Sequence, residues 1–241
     1  MNNKLILSFV FLLLFMPFAS AQNITDYIAY YPFDYTSVMG EFDGDPNGAD
    51  GIVVASDSDA YNYGRNGSFE FDGIDGMVEA DPIKFGTDNW TISIWAYAEV
   101  VSGDDFSIYW IGDDDGTEPR VRLGIISTKK IIFNIRSGAT EIDGASTVDM
   151  PINTWTHFVL TREGNTFTLY MDDTAIKTVT TTMGSLTSAG HTNIGGMPHV
   201  GGNSWDGTLD EMVVYNKLLN STEITELFNL GAGIRADETS F

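Results

Sequence analysis

The run INTWTHFVLTREGNTFTLYMDDTAIK, residues 152–177, decides the fold. Two stretches rich in β-branched and aromatic residues, WTHFVLTR and TFTLYMDD, flank TREGN (161–165), whose glycine and asparagine suit a tight reversal. In the second stretch Phe167, Leu169 and Met171 fall on one face, and Thr166, Thr168 and Tyr170 on the other. A period of two with one apolar face describes a strand against a core, so the two runs form a hairpin.

The same texture extends outward. TISIWAYAEV (91–100), FSIYWIG (106–112), RVRLGII (120–126) and KIIFNIR (130–136) are short, apolar and separated by Gly, Asp and Asn clusters. Evenly spaced strands with little helix imply an all-β sandwich or barrel. One helix signal stands apart in NSTEITELFNLG (220–231). Asn220 and Glu223 make a capping pair, Ile224, Leu227 and Phe228 share a face, and Gly231 is the expected stop. No linker interrupts the strand rhythm, so residues 22–235 are expected to form one domain, with 236–241 a short tail.

The chain opens with MNNKLILSFVFLLLFMPFASAQ. A lysine, an apolar run and the small residues Ala-Ser-Ala describe a signal peptide, residues 1–21, and hence export. The run is shorter than the roughly 20 residues a spanning helix needs, so no membrane insertion is expected. With no cysteine, the chain has no disulfide framework. The formal charge of −22 makes nucleic acid and anionic lipid poor partners, while divalent cations and neutral or cationic glycans are compatible with it.

Six stretches in order carry a resemblance: YYPFDYTSVMGEFDGDPNGADGIVV, GSFEFDGIDGMVEA, DNWTISIWAYAE, the hairpin above, TNIGG and WDGTLDEMVVYNKLLNSTEITELFNLG. Together, from about Ile28 to Gly231, they resemble the laminin-G-like jelly-roll domain of the concanavalin-A-like lectin/glucanase superfamily. The resemblance implies a two-sheet antiparallel β-sandwich. It also implies a carbohydrate-binding or adhesion module, with glycoside hydrolases on the same sandwich in the wider superfamily and protein-binding surface modules as a third class. Asp172-Asp173 departs from the family's usual Asp-Gly or Asn-Gly turn.

Retaining hydrolases of the superfamily carry acids in a pattern like Glu-x-Asp-x-x-Glu, which alternation aims into one cleft. The nearest match is EIDGAS, with Glu141 and Asp143, but Ser146 stands where the third acid belongs. Gly138, Gly144 and Ala145 make the segment look like a loop, so these acids are expected to be solvated. His157 is expected to be a hydrogen-bonded strand residue. The expectation is binding of a glycan or cell-surface polysaccharide without catalysis.

Two ligand sites follow from the resemblance. Trp110, Asp113 and Asp115 border the loop where pentraxins bind metal, and Trp205 lies in GGNSWDG on an expected rim. Met197, Pro198 and His199 replace the oxygen ligands of the second pentraxin cluster. The loop acids therefore make either a single weak calcium site or a plain acidic turn. A structural Ca2+ is also expected where Asp34, Asp72 and Asp210 would meet. The alternative at Asp210 is that it caps backbone N–H groups while Glu211 faces solvent.

Overall fold

The computed structural model describes residues 27–31, 33, 51–54, 61–63, 68–73, 76–99, 106–112, 119–187, 190–197 and 204–238. The strands in chain order are β1 (Tyr27–Tyr31), β2 (Gly51–Val54), β3 (Tyr61–Tyr63), β4 (Phe69–Asp72), β5 (Met77–Ala80), β6 (Trp90–Ala98), β7 (Phe106–Gly112) and β8 (Arg120–Ile125). They continue as β9 (Lys130–Ser137), β10 (Thr140–Asp149), β11 (Trp155–Glu163), β12 (Thr166–Met171), β13 (Thr174–Thr180), β14 (His191–Ile194) and β15 (Asp206–Tyr215), followed by helix α1 (Ser221–Glu238).

Two antiparallel sheets form a sandwich. The eight-stranded sheet runs β13-β12-β11-β6-β15-β4-β3, with β1 also on β15, and the seven-stranded sheet runs β10-β9-β8-β7-β14-β5-β2. Alternation builds the layer between them. Ile92, Ile94 and Ala96 of β6 share the core with Phe158 and Leu160 of β11 and with Val121 and Leu123 of β8. The β11–β12 hairpin closes as expected, with Glu163 opposite Thr166. Phe167 and Leu169 are fully buried, and Met171 packs against the same core.

The next hairpin turns on Asp172 and Asp173, both left-handed at φ 54°. Asp tolerates this conformation better than most residues, at a cost glycine avoids. Asp172 Oδ1 accepts the His157 N–H at 3.1 Å, so its side chain is engaged, whereas Asp173 accepts only exposed hydroxyl contacts, from Thr174 at 3.4 Å and Thr225 at 3.3 Å. Asp173→Gly is therefore expected to raise stability by about 0.5–1 kcal/mol in urea unfolding. A lower midpoint would contradict the strain.

Helix α1 caps as read from sequence. Asn220 Oδ1 accepts the N–H groups of Thr222 (2.9 Å) and Glu223 (3.1 Å), and Glu223 Oε2 accepts the Asn220 N–H at 2.8 Å. The helix does not stop at Gly231, and residues 236–238 of the expected tail belong to it. Gly231 lies on the Trp95 indole, where a Cβ would come within 2.1 Å of Nε1. The glycine is there for close approach, not termination.

The acids Asp210 and Glu211 resolve through a bulge. Leu209 and Met212 both belong to the core, so the two residues between them are kept out of it. The β15–β6 register shifts between Asp210 and Val213, and Glu211 takes φ 51°. Asp210, 3% exposed, accepts the Glu211 N–H on Oδ1 at 2.7 Å. Strict alternation would have sent one acid inward, and the extra residue prevents it.

Candidate functional site

The two outer faces of the sandwich differ in what lies on them. On the eight-stranded sheet, α1 lays Phe228 over Trp95 (ring centroids 5.8 Å apart) and His157 (6.2 Å). Ile224 joins Val159, Val213, Tyr215 and Leu219 in a second apolar cluster. His157 there is 1% exposed, with Nε2 2.7 Å from Ser93 Oγ, and burial lowers its pKa to about 3. This face is packed beneath a helix.

The seven-stranded sheet is different. Val121, Leu123, Phe133, Ile135 and Ile142 point into the core, so their neighbours Arg120, Arg122, Asn134, Arg136, Glu141 and Asp143 point outward. Register aligns these side chains across the strands. Asp143 pairs with Asn134, Asn134 with Arg122, Arg122 with Trp110, Trp110 with Asn193, and Asn193 with Glu79. A second row beside it runs Glu141, Arg136, Arg120, Gly112 and His191.

Hydrogen bonds knit one end of these rows. The Asn134 amide donates to Glu141 Oε1 at 2.9 Å and also to Asp143 Oδ1. Arg120 donates through Nε to Asn134 Oδ1 at 2.5 Å and pairs with Glu141, and its guanidinium lies 5.3 Å over the Trp110 ring. At the other end His191 Nε2 stands 3.8 Å from Glu79 Oε1. Asn193 lies between, fully buried, and both its amide nitrogen and its amide oxygen are without a hydrogen-bond partner. An unsatisfied buried amide typically costs 1–3 kcal/mol per lost bond.

Glu141 and Asp143 thus lie on a strand, β10, and not in the expected loop. Gly144 misled the sequence reading. The Phe133 ring sits over it, and a Cβ would come within 2.4 Å of that ring, so glycine makes room for an aromatic partner. The two acids do share a face, as catalytic alternation requires, but Ser146 is buried on the opposite parity. The Asn134 hydrogen bond, with the nearby Arg120 and Arg136 charges, holds the Glu141 carboxyl below its usual range despite some burial. A carboxylate held ionised is a poor general acid.

The model of the family described as the concanavalin A-like lectin/glucanases superfamily matches residues 72–225. The chain belongs to that superfamily. Among solved structures it is similar to the binding domain of Paraclostridial mosquitocidal protein 1 (TM-score 0.68, 13% identity, covering 86% of this chain and 52% of that one). It is similar to domain 4 of AbnA, a GH43 extracellular arabinanase from Geobacillus stearothermophilus, in complex with arabinotriose (TM-score 0.63, 16% identity, 84% and 98%). A third likeness is to Trypanosoma rangeli sialidase (TM-score 0.67, 17% identity, 87% and 33%). The chain spans about half of the first of these chains and a third of the sialidase. No match was found among curated proteins.

Within this superfamily sandwich, several residues singled out from sequence stand elsewhere than expected. Trp110 and Trp205 are 4% and 1% exposed, so neither offers an open ring to a ligand. Trp110 lies under Arg120, and Trp205 belongs to the core, its backbone bonded to Gly73 and Gly195. Asp113, Asp115 and Asp34 lie outside the described residues, as does the expected signal peptide.

Asp72 and Asp210 do not fit a shared calcium ion. Asp72 stands opposite Asp206, and Asp210 is four residues further along β15, about 13 Å away at strand rise. Asp206 lies near both Asp72 and Glu99, and its pKa is raised by burial, then by the charges of Glu99 and Asp72. Among the described residues no group of three His, Cys, Asp or Glu side chains converges on a metal position, and no helix is long and apolar enough to cross a membrane.

Proposed function

We propose that the chain is an exported carbohydrate-binding or adhesion module that holds a glycan on the outer face of the seven-stranded sheet without cleaving it. The observation that carries this reading is the polar row from Asp143 to Glu79 with the row beside it, open to solvent at Asp143 and Glu141 on one end and at Glu79 and His191 on the other. Carboxylates and an imidazole on an open sheet face accept and donate hydrogen bonds to sugar hydroxyls. The fold's likeness to an arabinanase domain in complex with arabinotriose supports the carbohydrate class. Glu141, bound by Asn134 and Arg120, supports binding over hydrolysis.

A glycan array combined with a reducing-sugar assay separates the classes. Saturable binding with no release of reducing ends is the expected result. Turnover abolished by Glu141→Gln would make the chain a glycoside hydrolase, and a protein captured with every glycan unbound would make it a protein-binding surface module.

A stabilising calcium ion, expected from the sequence at Asp34, Asp72 and Asp210, belongs to the same proposal without a position among the described acids. Melting in saturating calcium is expected about 5–10 °C above melting in chelator, since a ligand of the folded state alone raises its stability. Coincident curves would remove the ion.

A further inference from the structure

We propose that the eight-stranded sheet carries a second ligand surface, beside helix α1, that takes sugars bearing amino groups. It lies on the opposite face of the sandwich from the glycan row above and stands on other residues. Phe69, Phe71, Ala96, Ala98 and Leu209 point into the core, so Glu70, Tyr97 and Thr208 point outward. Register sets Glu70 beside Thr208, Thr208 beside Tyr97 and Tyr97 beside Trp155. In the next row Asp72 stands opposite Asp206, whose carbonyl accepts the Glu99 N–H at 3.2 Å.

Two properties set this margin apart. The first is aromatic surface within reach of solvent. Helix α1 rests Phe228 on Trp95 and His157, one row away, whereas Tyr97 and Trp155 are half-buried, with ring centroids 5.7 Å apart and planes at 55°. Ile152, bridged to Ala98 and 45% exposed, extends the apolar area beside them. The second is uncompensated charge. Among the described residues, the carboxylates of Glu70, Glu99 and Asp206 have no hydrogen-bond donor and no cationic partner. Burial, then the charge of Glu99, raises the Glu70 pKa, and burial, then Glu99 and Asp72, raises that of Asp206. Bound cations would relieve this repulsion.

The arrangement selects the form of the cation. The acids are spread over neighbouring strand ends, and no three of the described ones converge on a metal position. Such a spread suits several separate ammonium groups better than one compact ion. Glu70 and Trp155 are three strands apart, about 14 Å, a distance that a short oligosaccharide covers. An oligomer of amino sugars supplies both halves of the match: flat C–H faces for the rings, and an ammonium on each sugar for the carboxylates. A lysine side chain supplies the ammonium without the flat face. The formal charge of −22 draws such a ligand in, and salt weakens the attraction.

The full chain is titrated with a glucosamine oligomer, its amines protonated, with the same oligomer fully N-acetylated, and with a lysine peptide of equal charge. The glucosamine oligomer is expected to bind at least about tenfold more tightly than either. Glu70→Gln and Glu99→Gln are each expected to weaken it about tenfold while melting no lower, because each removes repulsion. Trp155→Leu, which keeps apolar bulk and removes the ring, is expected to weaken it by a similar factor. Glu163→Gln, which removes a charge at the far end of β11, is expected to leave the affinity unchanged.

Equal affinity for the acetylated oligomer, a Glu163→Gln variant weakened as much as Glu70→Gln, or tighter binding of the lysine peptide would overturn the amino-sugar surface. None of Glu70, Glu99 and Trp155 belongs to the glycan row of the seven-stranded sheet. Neutral glycans that still bind these variants therefore keep that reading standing whatever the amino sugar does.

Discussion

Trp205→Ala is expected to lower the folding stability by about 3–5 kcal/mol, the range for truncating a large buried aromatic side chain. For a chain of this size that corresponds to a fall in Tm of roughly 6–20 °C. The ring is 1% exposed within the main apolar cluster, and its backbone N–H and carbonyl tie the β14–β15 connection to Gly195 (2.6 Å) and Gly73 (2.9 Å). Trp205→Phe should lose much less, since it keeps an aromatic ring and removes a buried indole N–H that has no partner. The measurement also discriminates function. A stacking platform for sugar would lose binding and keep its melting point, so that outcome would return Trp205 to the surface.

Acid is expected to destabilise the fold through His157. Its imidazole is 1% exposed, stacked against Trp95 with centroids 5.0 Å apart, and burial lowers its pKa from 6.5 to about 3. Between those two values the unfolded chain binds a proton on this side chain that the folded chain does not. Stability must therefore fall as pH falls through that window, by at most about 1.4 kcal/mol per unit, and it is unaffected above neutral pH. The total is a few kcal/mol. Urea unfolding at successive pH values, for the natural chain and for His157→Phe, isolates the effect because the carboxylates titrate in both. The natural chain is expected to lose about 2–4 kcal/mol more between pH 7 and pH 4 than the variant. Parallel slopes would mean that the imidazole takes up its proton without resisting.

The acids near Asp206 respond in the opposite sense. Burial, and then neighbouring carboxylates, raise the folded pKa values of Asp206 and Glu70, so protonating them favours the folded chain and they contribute nothing to acid unfolding. This is why the comparison is made against a His157 variant and not against pH alone.

Much of the architecture was legible from residues alone. The alternation in TFTLYMDD predicted which side chains of β12 face the core, and the Asn220–Glu223 pair predicted where α1 begins. Both are local: a period of two and a spacing of three depend on the backbone of one element, not on its neighbours. Half of the candidate site was legible in the same way. In RVRLGII and KIIFNIR the polar residues Arg120, Arg122, Asn134 and Arg136 occupy alternate positions among apolar ones, which is the mark of a polar outer face.

Tertiary structure decided the rest. Glycine has one local meaning, conformational freedom, and Gly144 and Gly231 were accordingly read as a loop and a helix stop. Both are instead places where an aromatic ring, Phe133 or Trp95, comes too close for a Cβ. The bulge at Asp210 is likewise invisible to alternation, because it is defined by a partner strand against which one residue is extra. Trp110 and Trp205 lie near loops in sequence and in buried positions in space, and burial depends on what packs above a residue. The alignment of Asp143, Asn134, Arg122, Trp110, Asn193 and Glu79 draws on six strands separated by turns and crossovers. Composition describes each strand, but only the hydrogen-bonded register sets which of their side chains stand abreast, because a slip of one residue would turn every one of them to the other face.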